Sequence, residues 1–306
     1  MRPGVLRGDF MTTRRDVIAG AGALAATGIF GAAQAAGLPE GLAADLARIE
    51  RESEGRLGVA ALDTGSGARA GLHADDRFPM CSTFKFLAAA AVLRRVDERK
   101  EKLDRRIAYA RSDLVEYSPV TKEHVADGMT MSDICEAAMT LSDNTAGNLI
   151  LASLGGPQGI TQFARSLGDP VTRLDRIETA LNEAIPGDPR DTTTPNAMLG
   201  NIQKLVLGDA LSPASRAQLT KWLLDNKTGD TRLRAHLPKD WRVGDKTGSG
   251  ERGTTNDVGV IWPPNRAPIV LAIYLTETTA HANARNGTLA AVGAAATGQR
   301  RGGGTY

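Results

Sequence analysis

The spacing of hydrophobic positions predicts two helices in the first third of the chain. Leu42, Leu46 and Ile49 recur at helical intervals, which predicts an amphipathic helix over residues 38–53. From Thr83 to about Asp97 the chain is apolar and has no helix-breaking residue. That pattern predicts a second helix that is buried on most of its sides.

Capping residues predict further helices in the middle and at the end of the chain. Thr130 can cap a helix, and Asp133 three residues later can complete a capping box. Residues 144–154 continue as another helix, which the Gly155–Gly156 pair ends. A final alanine-rich helix is predicted over about residues 282–296.

Strand patterns occur only before and after this helical middle. Residues 56–63 and 68–72 flank the turn residues 64–67, which predicts a hairpin. Three consecutive strands are predicted late in the chain, over residues 241–249, 256–262 and 269–276. This order predicts an α/β (α+β) fold in which a discontinuous α/β sandwich domain with an antiparallel sheet carries an inserted all-α domain.

The predicted domain boundaries follow from that order. Residues 36–80 and 224–306 are assigned to the α/β domain, and residues 81–223 to the all-α domain. The seam between two such domains is a usual place for a substrate cleft, so we expect the active site there.

Composition excludes several classes of function. The 306 residues carry a net charge of only +2, and no run of basic residues is long enough to indicate nucleic-acid binding. The four histidines, His73, His124, His236 and His281, are scattered and show no metal-ligand spacing. A zinc hydrolase is therefore improbable, and no metal site is predicted.

The first residues have the pattern of an export signal. Arg14–Arg15 precede the uncharged, weakly apolar stretch 17–39, and Ala33–Ala35 fits a small-x-small cleavage site. Together these resemble a twin-arginine signal over residues 1–35, with Met11 as an alternative start. A retained anchor helix is the alternative interpretation. We expect a periplasmic or secreted protein with no stable membrane span after processing.

The two cysteines, Cys81 and Cys135, could form a disulfide only if the fold brought them together. Cys81 directly precedes Ser82, and Cys135 falls in a different predicted helix. Because buried unpaired thiols behave as small hydrophobic groups, we predict two free thiols.

The segment Ser82–Lys85 places a hydroxyl and an amine three residues apart at the start of a helix. This spacing brings both side chains to one helix face, where an amine can activate a serine. Alone, the pattern is weak, because a serine that only caps a helix would look the same.

Two more short motifs follow in the chain. Ser142–Asp143–Asn144 lies at a junction of predicted helices, and Lys246–Gly250 ends a predicted strand. Taken separately, the first fits a helix-capping turn and the second a strand that leads into a glycine turn. The three motifs in this order resemble the S-x-x-K, S-D-N and K-T-G signature of class A β-lactamases and penicillin-binding proteins.

The resemblance covers nearly the whole chain from about residue 38 to residue 298. Arg176, Glu178 and Asn182 match the family's R-x-E-x-x-L-N loop, which is an Ω-loop within the predicted all-α domain. Asp191 resembles the aspartate that forms an ion pair with the arginine and so closes this loop. Without that context, Glu178 would be interpreted as a solvated loop carboxylate. The chain thus resembles a serine β-lactamase of class A.

The resemblance implies a role for each catalytic position. Ser82 attacks the lactam carbonyl, and the backbone N–H groups of Ser82 and Ser249 hold the oxyanion. Lys85, Ser142 and Lys246 form a proton and charge network, with Ser142 as donor to the leaving nitrogen. Glu178 and Asn182 position and deprotonate the hydrolytic water. Whether Lys85 or Glu178 is the base for acylation stays open.

Substrate-binding residues also follow from the resemblance. Asn144 would bind the substrate's side-chain amide, Tyr117 would form a wall of the cleft, and Thr247 and Ser249 would bind its carboxylate. Many family members carry a carboxylate-binding arginine where this chain has Thr255, and Arg232 matches an alternative position for that arginine.

Two further positions bear on the resemblance. Thr179 stands where many members have a proline after a cis peptide bond. Cys81 and Ser249 resemble members with broad cephalosporin activity, which suggests an extended substrate range.

Two alternatives share the three motifs. A penicillin-binding D,D-peptidase would leave the Glu178–Asn182 loop unexplained, and a covalent β-lactam sensor would need a signalling domain for which this chain has no room. The resemblance therefore implies hydrolysis of a small-molecule β-lactam by a monomer that needs no cofactor.

Overall fold

The five predicted helices are present in this computed structural model and begin and end close to the predicted positions. The structure describes Met1 and residues 37–299, so the predicted export signal, Met1 apart, lies outside the described residues. The α-helices are α1 (Leu42–Ser53), α2 (Phe84–Asp97), α3 (Met131–Thr140), α4 (Asn144–Ser153), α5 (Pro157–Ser166), α6 (Pro195–Ile202), α7 (Pro213–Leu224) and α8 (Ala282–Thr297).

The strands fall into one large sheet and two short pairs. They are β1 (Arg56–Asp63), β2 (Arg69–Leu72), β3 (Phe78–Pro79), β4 (Arg106–Ile107), β5 (Met129–Thr130), β6 (Thr192–Thr193), β7 (Arg242–Ser249), β8 (Thr255–Trp262) and β9 (Ile269–Thr276). The large sheet has the order β2-β1-β9-β8-β7, and all its neighbouring strands run antiparallel. Strand β7, which carries the third motif, therefore lies at an edge.

Both faces of the large sheet are covered. All eight residues of β9 are buried, which fits a central strand with helices on each side. One hydrophobic cluster joins α1 and α8 to one face, and a second, larger cluster surrounds α2 and reaches the other face. Because Tyr274 of β9 packs in the same cluster as Phe86 of α2, the sheet and the central helices share a core.

Most of the predicted elements are confirmed, with boundaries shifted by a few residues. Helix α1 begins at Leu42 rather than residue 38, and a short 3₁₀ turn, Cys81–Thr83, precedes α2. Thr130 and Asp133 form the predicted capping box of α3. Helices α5, α6 and α7 were not predicted. Each of these has a proline in its first turn, a start signal that accompanies weak amphipathic spacing in α6 and α7.

Both cysteines are free and buried, as predicted. Cys81 adjoins the 3₁₀ turn's serine, whereas Cys135 lies in α3. Burial raises the pKa of both thiols, so each remains an uncharged, apolar packing group.

Among residues 37–299, no helix combines the length and hydropathy needed to cross a bilayer. In the same part of the chain, no group of three or more histidine, cysteine or acidic side chains is arranged to hold a metal ion.

Candidate active site

Ser82 lies in the 3₁₀ turn that leads into α2, with only 7% of its surface exposed. Cys81 before it has a positive φ of 44°, in the left-handed region that non-glycine residues rarely adopt. The hydroxyl of Thr83 donates to the carbonyl of Met80 at 2.8 Å, which closes the turn. These local constraints fix the direction in which the Ser82 hydroxyl points.

Lys85 follows Ser82 by three residues in the first turn of α2 and is fully buried. Its Nζ donates to Ser82 Oγ at 2.9 Å and to the carbonyl oxygen of Ser142 at 2.8 Å. It also donates to Asn144 Oδ1 at 2.7 Å and lies 2.9 Å from Glu178 Oε1. Burial lowers the pKa of Lys85, and the charge of Glu178 opposes that shift.

Glu178 is almost fully buried and contacts the serine directly. Ser82 Oγ donates to Glu178 Oε1 at 3.2 Å, and Asn182 Nδ2 donates to the other carboxylate oxygen at 2.6 Å. The peptide bond between Glu178 and Thr179 is cis, although Thr179 is not a proline. The carboxylate thus joins the loop to Ser82 and Lys85.

Ser142 and Lys246 form the opposite side of this cluster. Lys246 Nζ donates to Ser142 Oγ at 3.0 Å and to the carbonyl oxygen of Thr247 at 2.8 Å. Ser142 has a φ of 58°, so a left-handed backbone turns it between the two lysines. Burial, reinforced by the charge of Lys85, holds the pKa of Lys246 well below its usual range.

Strand β7 lies against the turn that carries Ser82. A Cβ atom on Gly248 would be 2.8 Å from the carbonyl oxygen of Met80, so only glycine allows this approach. Asn256, opposite Gly248 on β8, donates to the same carbonyl at 3.1 Å. The end of β7, with Ser249, is thereby held beside Ser82.

Arg232 is fixed at the end of β7 by four hydrogen bonds. Its Nη1 donates to the carbonyl oxygens of Gly248 at 2.8 Å and Asn256 at 2.9 Å. Its Nη2 donates to Ser249 Oγ at 2.8 Å, and its Nε donates to Asn286 Oδ1 at 3.0 Å. The guanidinium thus lies beside Ser249, while Thr255 faces Ser249 across the sheet register.

The predicted loop ion pair is present. Arg176 Nε lies 2.6 Å from Asp191 Oδ2, and Asp191 is 1% exposed. Asp191 Oδ1 also accepts from the backbone N–H groups of Asp175 and Arg176. The carbonyl oxygen of Asp191 accepts from the N–H of Met80 at 2.9 Å, so the loop's end is tied to the segment before Ser82.

Tyr117 and Asn144 stand next to this cluster. Tyr117 is 56% exposed, and its carbonyl oxygen accepts from the N–H of Asn144 at 3.0 Å. One amide hydrogen of Asn144 Nδ2 is taken by the carbonyl oxygen of Glu116 at 2.9 Å. An exposed aromatic ring with no covering element marks an open side of the site.

The structure therefore brings the three motifs and the loop together. Two further asparagines belong to the arrangement but were missed by sequence analysis. Asn148 Oδ1 accepts from the N–H of Glu178 at 2.9 Å, and its Nδ2 donates to the Glu178 carbonyl oxygen at 3.0 Å. Its position four residues after Asn144, on the same helix face, was an available signal. For Asn286, which supports Arg232, no local signal exists.

Comparisons with known proteins agree with this arrangement. The family model described as the beta-lactamase enzyme family matches residues 41–299. The chain is 52% identical to Beta-lactamase CTX-M-97 of Escherichia coli over 246 residues, which cover 80% of this chain and 84% of that protein. It is 54% identical to Beta-lactamase AST-1 of Nocardia asteroides over 244 residues, which cover 80% and 79% respectively.

Solved structures give the same result. An ancestral class A β-lactamase superposes with a TM-score of 0.83 at 64% identity, covering 84% of this chain and 99% of its own. The putative class A β-lactamase PenP of Rhodopseudomonas palustris superposes with a TM-score of 0.84 at 62% identity, covering 85% and 99%. The expected fold class is thus confirmed. With its motifs, geometry and relatives in agreement, this chain belongs to the beta-lactamase enzyme family as a class A serine β-lactamase.

Proposed function

We propose that this β-lactamase hydrolyses its substrate through an ester on Ser82, which a water activated by Glu178 then removes. The observation that carries the proposal is the contact of one buried carboxylate with both the nucleophile and its lysine. Glu178 Oε1 lies 3.2 Å from Ser82 Oγ and 2.9 Å from Lys85 Nζ. A penicillin-binding peptidase or a sensor has no need for such a carboxylate.

In the acylation step, Ser82 Oγ bonds to the lactam carbonyl carbon and the ring C–N bond breaks. The serine proton passes to Glu178 or Lys85, both of which lie within hydrogen-bond distance of Ser82 Oγ. The leaving nitrogen takes a proton from Ser142, whose hydroxyl accepts a hydrogen bond from Lys246 Nζ. A lysine with a lowered pKa can replace that proton readily.

After acylation, the proton taken from Ser82 replaces the one that Ser142 and Lys246 gave to the nitrogen, so Glu178 is again a carboxylate. In the deacylation step, Glu178 takes a proton from water while the water oxygen bonds to the ester carbon. The bond between that carbon and Ser82 Oγ then breaks, and Ser82 Oγ takes the proton from Glu178. Asn182 donates to Glu178 Oε2 through its amide nitrogen. Its amide oxygen is buried and has no hydrogen-bond partner among the described residues. This acceptor, close to the carboxylate, supports a role in orienting the water.

Substrate recognition is assigned to the residues around this cluster. The backbone N–H groups of Ser82 and Ser249 would hold the oxyanion. Thr247, Ser249 and Arg232 would bind the substrate carboxylate, because a guanidinium fixed beside a hydroxyl is a strong site for that group. The second N–H of Asn144 would bind the side-chain amide, next to Tyr117.

The first experiment compares the parent with Glu178→Ala by benzylpenicillin turnover and intact-protein mass. We expect rapid turnover by the parent, and a loss of about 10²–10⁴-fold with accumulated acyl-enzyme in the variant. Glu40→Ala, an exposed change, serves as the control and should behave like the parent. A parent that remains acylated with almost no product would refute the mechanism and favour a peptidase or sensor.

We propose an extended range that includes cephalosporins, supported by Cys81 and Ser249 at their positions beside the nucleophile. Arg232 Nη2 donates to Ser249 Oγ, which leaves the hydroxyl hydrogen free to donate to a ligand. Ser249→Ala should lower cefotaxime kcat/KM by about 5-fold more than benzylpenicillin kcat/KM, the effect of about one hydrogen bond. Cefotaxime turnover by the parent at the background rate would contradict this proposal.

We propose that the chain forms two domains, an α/β domain of residues 36–80 and 224–306 and an inserted domain of residues 81–223. Within the described residues 37–299, the strands of the large sheet occur only in 56–72 and 242–276, which supports this division.

We propose that the protein acts outside the inner membrane as a monomer, after export by the twin-arginine route. Export lost on changing Arg14 and Arg15 to lysine would support that route, and unchanged export would refute it.

A further inference from the structure

Three arginines line a pocket beside the start of the Ω-loop, and none of the proposed catalytic or substrate-binding residues lines it. The pocket has a volume of about 240 Å³, many times the roughly 10–15 Å³ that one water molecule needs. Arg77 comes from the segment before β3, and Arg165 comes from α5. Arg173 lies between α5 and the Arg176–Asn182 motif, at the start of the Ω-loop. The lining also includes Gln158, Thr161, Val171 and Asp175.

The charge of this pocket is unbalanced. Asp175 is the one carboxylate in the lining, and Arg173 binds it with two hydrogen bonds of 2.9 and 2.6 Å. The same guanidinium lowers the pKa of Asp175, which stays ionised. One of the three arginines is thus neutralised, and the pocket keeps an excess of two positive charges.

The arginines still have hydrogen-bond donors to offer. Arg77 uses Nη1, which donates to the carbonyl oxygen of Val171 at 3.0 Å and to Thr192 Oγ1 at 2.9 Å. Arg165 also uses Nη1, which donates to the carbonyl oxygens of Asp169 at 2.6 Å and Thr172 at 2.8 Å. Among the described residues, no acceptor is bound to Nη2 of either arginine.

These bonds also connect the pocket to the loop's two ends. Val171 and Thr172 precede the loop motif, whereas Thr192 follows Asp191, so Arg77 joins both ends directly. An anion held between Arg77, Arg165 and Arg173 would therefore join α5 and the segment before β3 to the start of the loop.

We propose that this pocket binds a dianionic tetrahedral oxyanion, such as phosphate, sulfate or a phosphate monoester, and that the bound anion stabilises the ends of the Ω-loop. Guanidinium groups match such anions in charge and in geometry, since each presents paired N–H donors in a plane. The open pocket admits an ester substituent as well as a free ion.

The test uses Gln158→Glu, which adds one negative charge to the lining with almost no change in shape. Gln158 lies in the first turn of α5, where a glutamate is favoured by the helix dipole, so the variant should fold. Gln218→Glu in α7, outside the pocket, makes the same chemical change as a matched control. Thermal unfolding is measured with sodium phosphate and with sodium chloride at equal ionic strength.

We expect 10 mM phosphate to raise the Tm of the parent and of Gln218→Glu by about 3–5 °C, as for a site with a Kd near 1 mM. Gln158→Glu should lose most of that rise. Equal shifts in all three proteins would indicate the general stabilising effect of such salts and would overturn the proposal. So would the absence of any shift in the parent.

Calorimetric titration measures the binding directly. Saturable binding of one phosphate by the parent and by Gln218→Glu, but not by Gln158→Glu, supports the site. Equal binding by all three proteins, or no binding by the parent, refutes it. Glycerol 3-phosphate in a second titration separates the two sources, since tighter binding than phosphate indicates an ester and equal or weaker binding indicates the free ion. Neither measurement involves β-lactam turnover, so the outcome is independent of the proposed mechanism.

Discussion

Glu178 is held at its side chain and at its peptide group by different partners. Ser82, Lys85 and Asn182 contact its carboxylate, while Asn148 brackets its backbone N–H and carbonyl groups. A carboxylate that must orient water works only within a narrow range of positions. In the proposed mechanism, the two hydrogen bonds of Asn148 to this peptide group therefore matter as much as the contacts of the carboxylate.

We predict that Asn148→Ala slows deacylation about 10-fold while leaving acylation less affected. The substitution removes two hydrogen bonds of 2.9 and 3.0 Å and frees the peptide group of Glu178 to move. Single-turnover kinetics with intact-protein mass would show the acyl-enzyme persisting in the variant. If acylation and deacylation fell equally, Asn148 would have only a structural role and the prediction would be wrong.

The Ω-loop is closed by contacts at its two ends. Asp191, which is 1% exposed, accepts from the side chain and backbone of Arg176 and from the backbone of Asp175. Arg176 also contacts Glu183 within the loop. Because breaking a buried pair leaves one charge without its partner, such a bond matters more than an exposed one.

We predict that Arg176→Ala lowers the free energy of unfolding by about 3 kcal/mol. It should also reduce turnover, since the loop that carries Glu178 loses its closing contact. Arg190→Ala is the matched control: its pair with Asp188 is exposed at the arginine, and the loss of stability should be much smaller than in Arg176→Ala. Urea unfolding measures both changes, and equal losses would contradict this account.

Strand β7 is the other element on which the site depends. It forms an edge of the large sheet, and Gly248 lets the strand approach the turn that carries Ser82. The same strand carries Lys246 before Gly248 and Ser249 after it.

We predict that Gly248→Ala lowers kcat/KM by about 10²-fold, because the new Cβ would push the strand away from the Ser82 turn. The free energy of unfolding should fall by about 1–3 kcal/mol. Gly200→Ala in α6 is the control, since a Cβ there meets no atom within 4 Å and should stabilise the helix by about 1 kcal/mol. Normal activity in Gly248→Ala would show that the strand can move without harm.

At the level of the whole molecule, two fully buried carboxyls lie side by side in the sheet behind the site. Asp245 of β7 accepts from Asn226 at 2.7 Å and from Arg234, and Asp257 of β8 accepts from the N–H of Leu233 at 3.1 Å. Burial and the charge of Asp245 raise the pKa of Asp257 well above its usual range. The raised pKa favours the protonated form of Asp257.

This assignment gives the sign of a pH effect. A carboxyl whose pKa is raised in the folded state contributes stability that is fully present below its unfolded pKa of about 3.9 and is lost as the pH rises through its folded pKa. An asparagine side chain carries no charge at any pH, so the Asp257→Asn variant lacks that loss.

We predict that Asp257→Asn becomes more stable relative to the parent as the pH rises above the unfolded pKa of about 3.9 toward the folded pKa, by up to about 1.4 kcal/mol per pH unit. Arg232 opposes the effect, because its charge favours the ionised form of Asp257. Asp240→Asn, an exposed change, is the control and should show no such trend. A stability difference that does not vary with pH would mean that Asp257 is ionised in the folded protein.

Local spacing in the sequence was sufficient for much of the fold and for the identity of the proposed catalytic groups. The period of Leu42, Leu46 and Ile49 and the capping pair of α3 gave helices that the structure confirms, because such patterns act over one or two turns. The spacing of apolar residues did not predict helices α6 and α7, because their burial is set by distant elements rather than by a regular apolar face.

The three motifs together, through the family that they resemble, identified the side chains proposed for the chemistry, because S-x-x-K, S-D-N and K-T-G are read along the chain. Only the tertiary structure decided how they meet: Lys246 reaches Ser142 across 104 positions of sequence, and Glu178 reaches Ser82 across 96. Burial likewise lowers the pKa values of the two lysines. It also encloses the hydrogen bonds of Asn148 to Glu178 and the neighbouring carboxyls of Asp245 and Asp257. No local pattern encodes them, because solvent is excluded by segments that are far apart in the sequence.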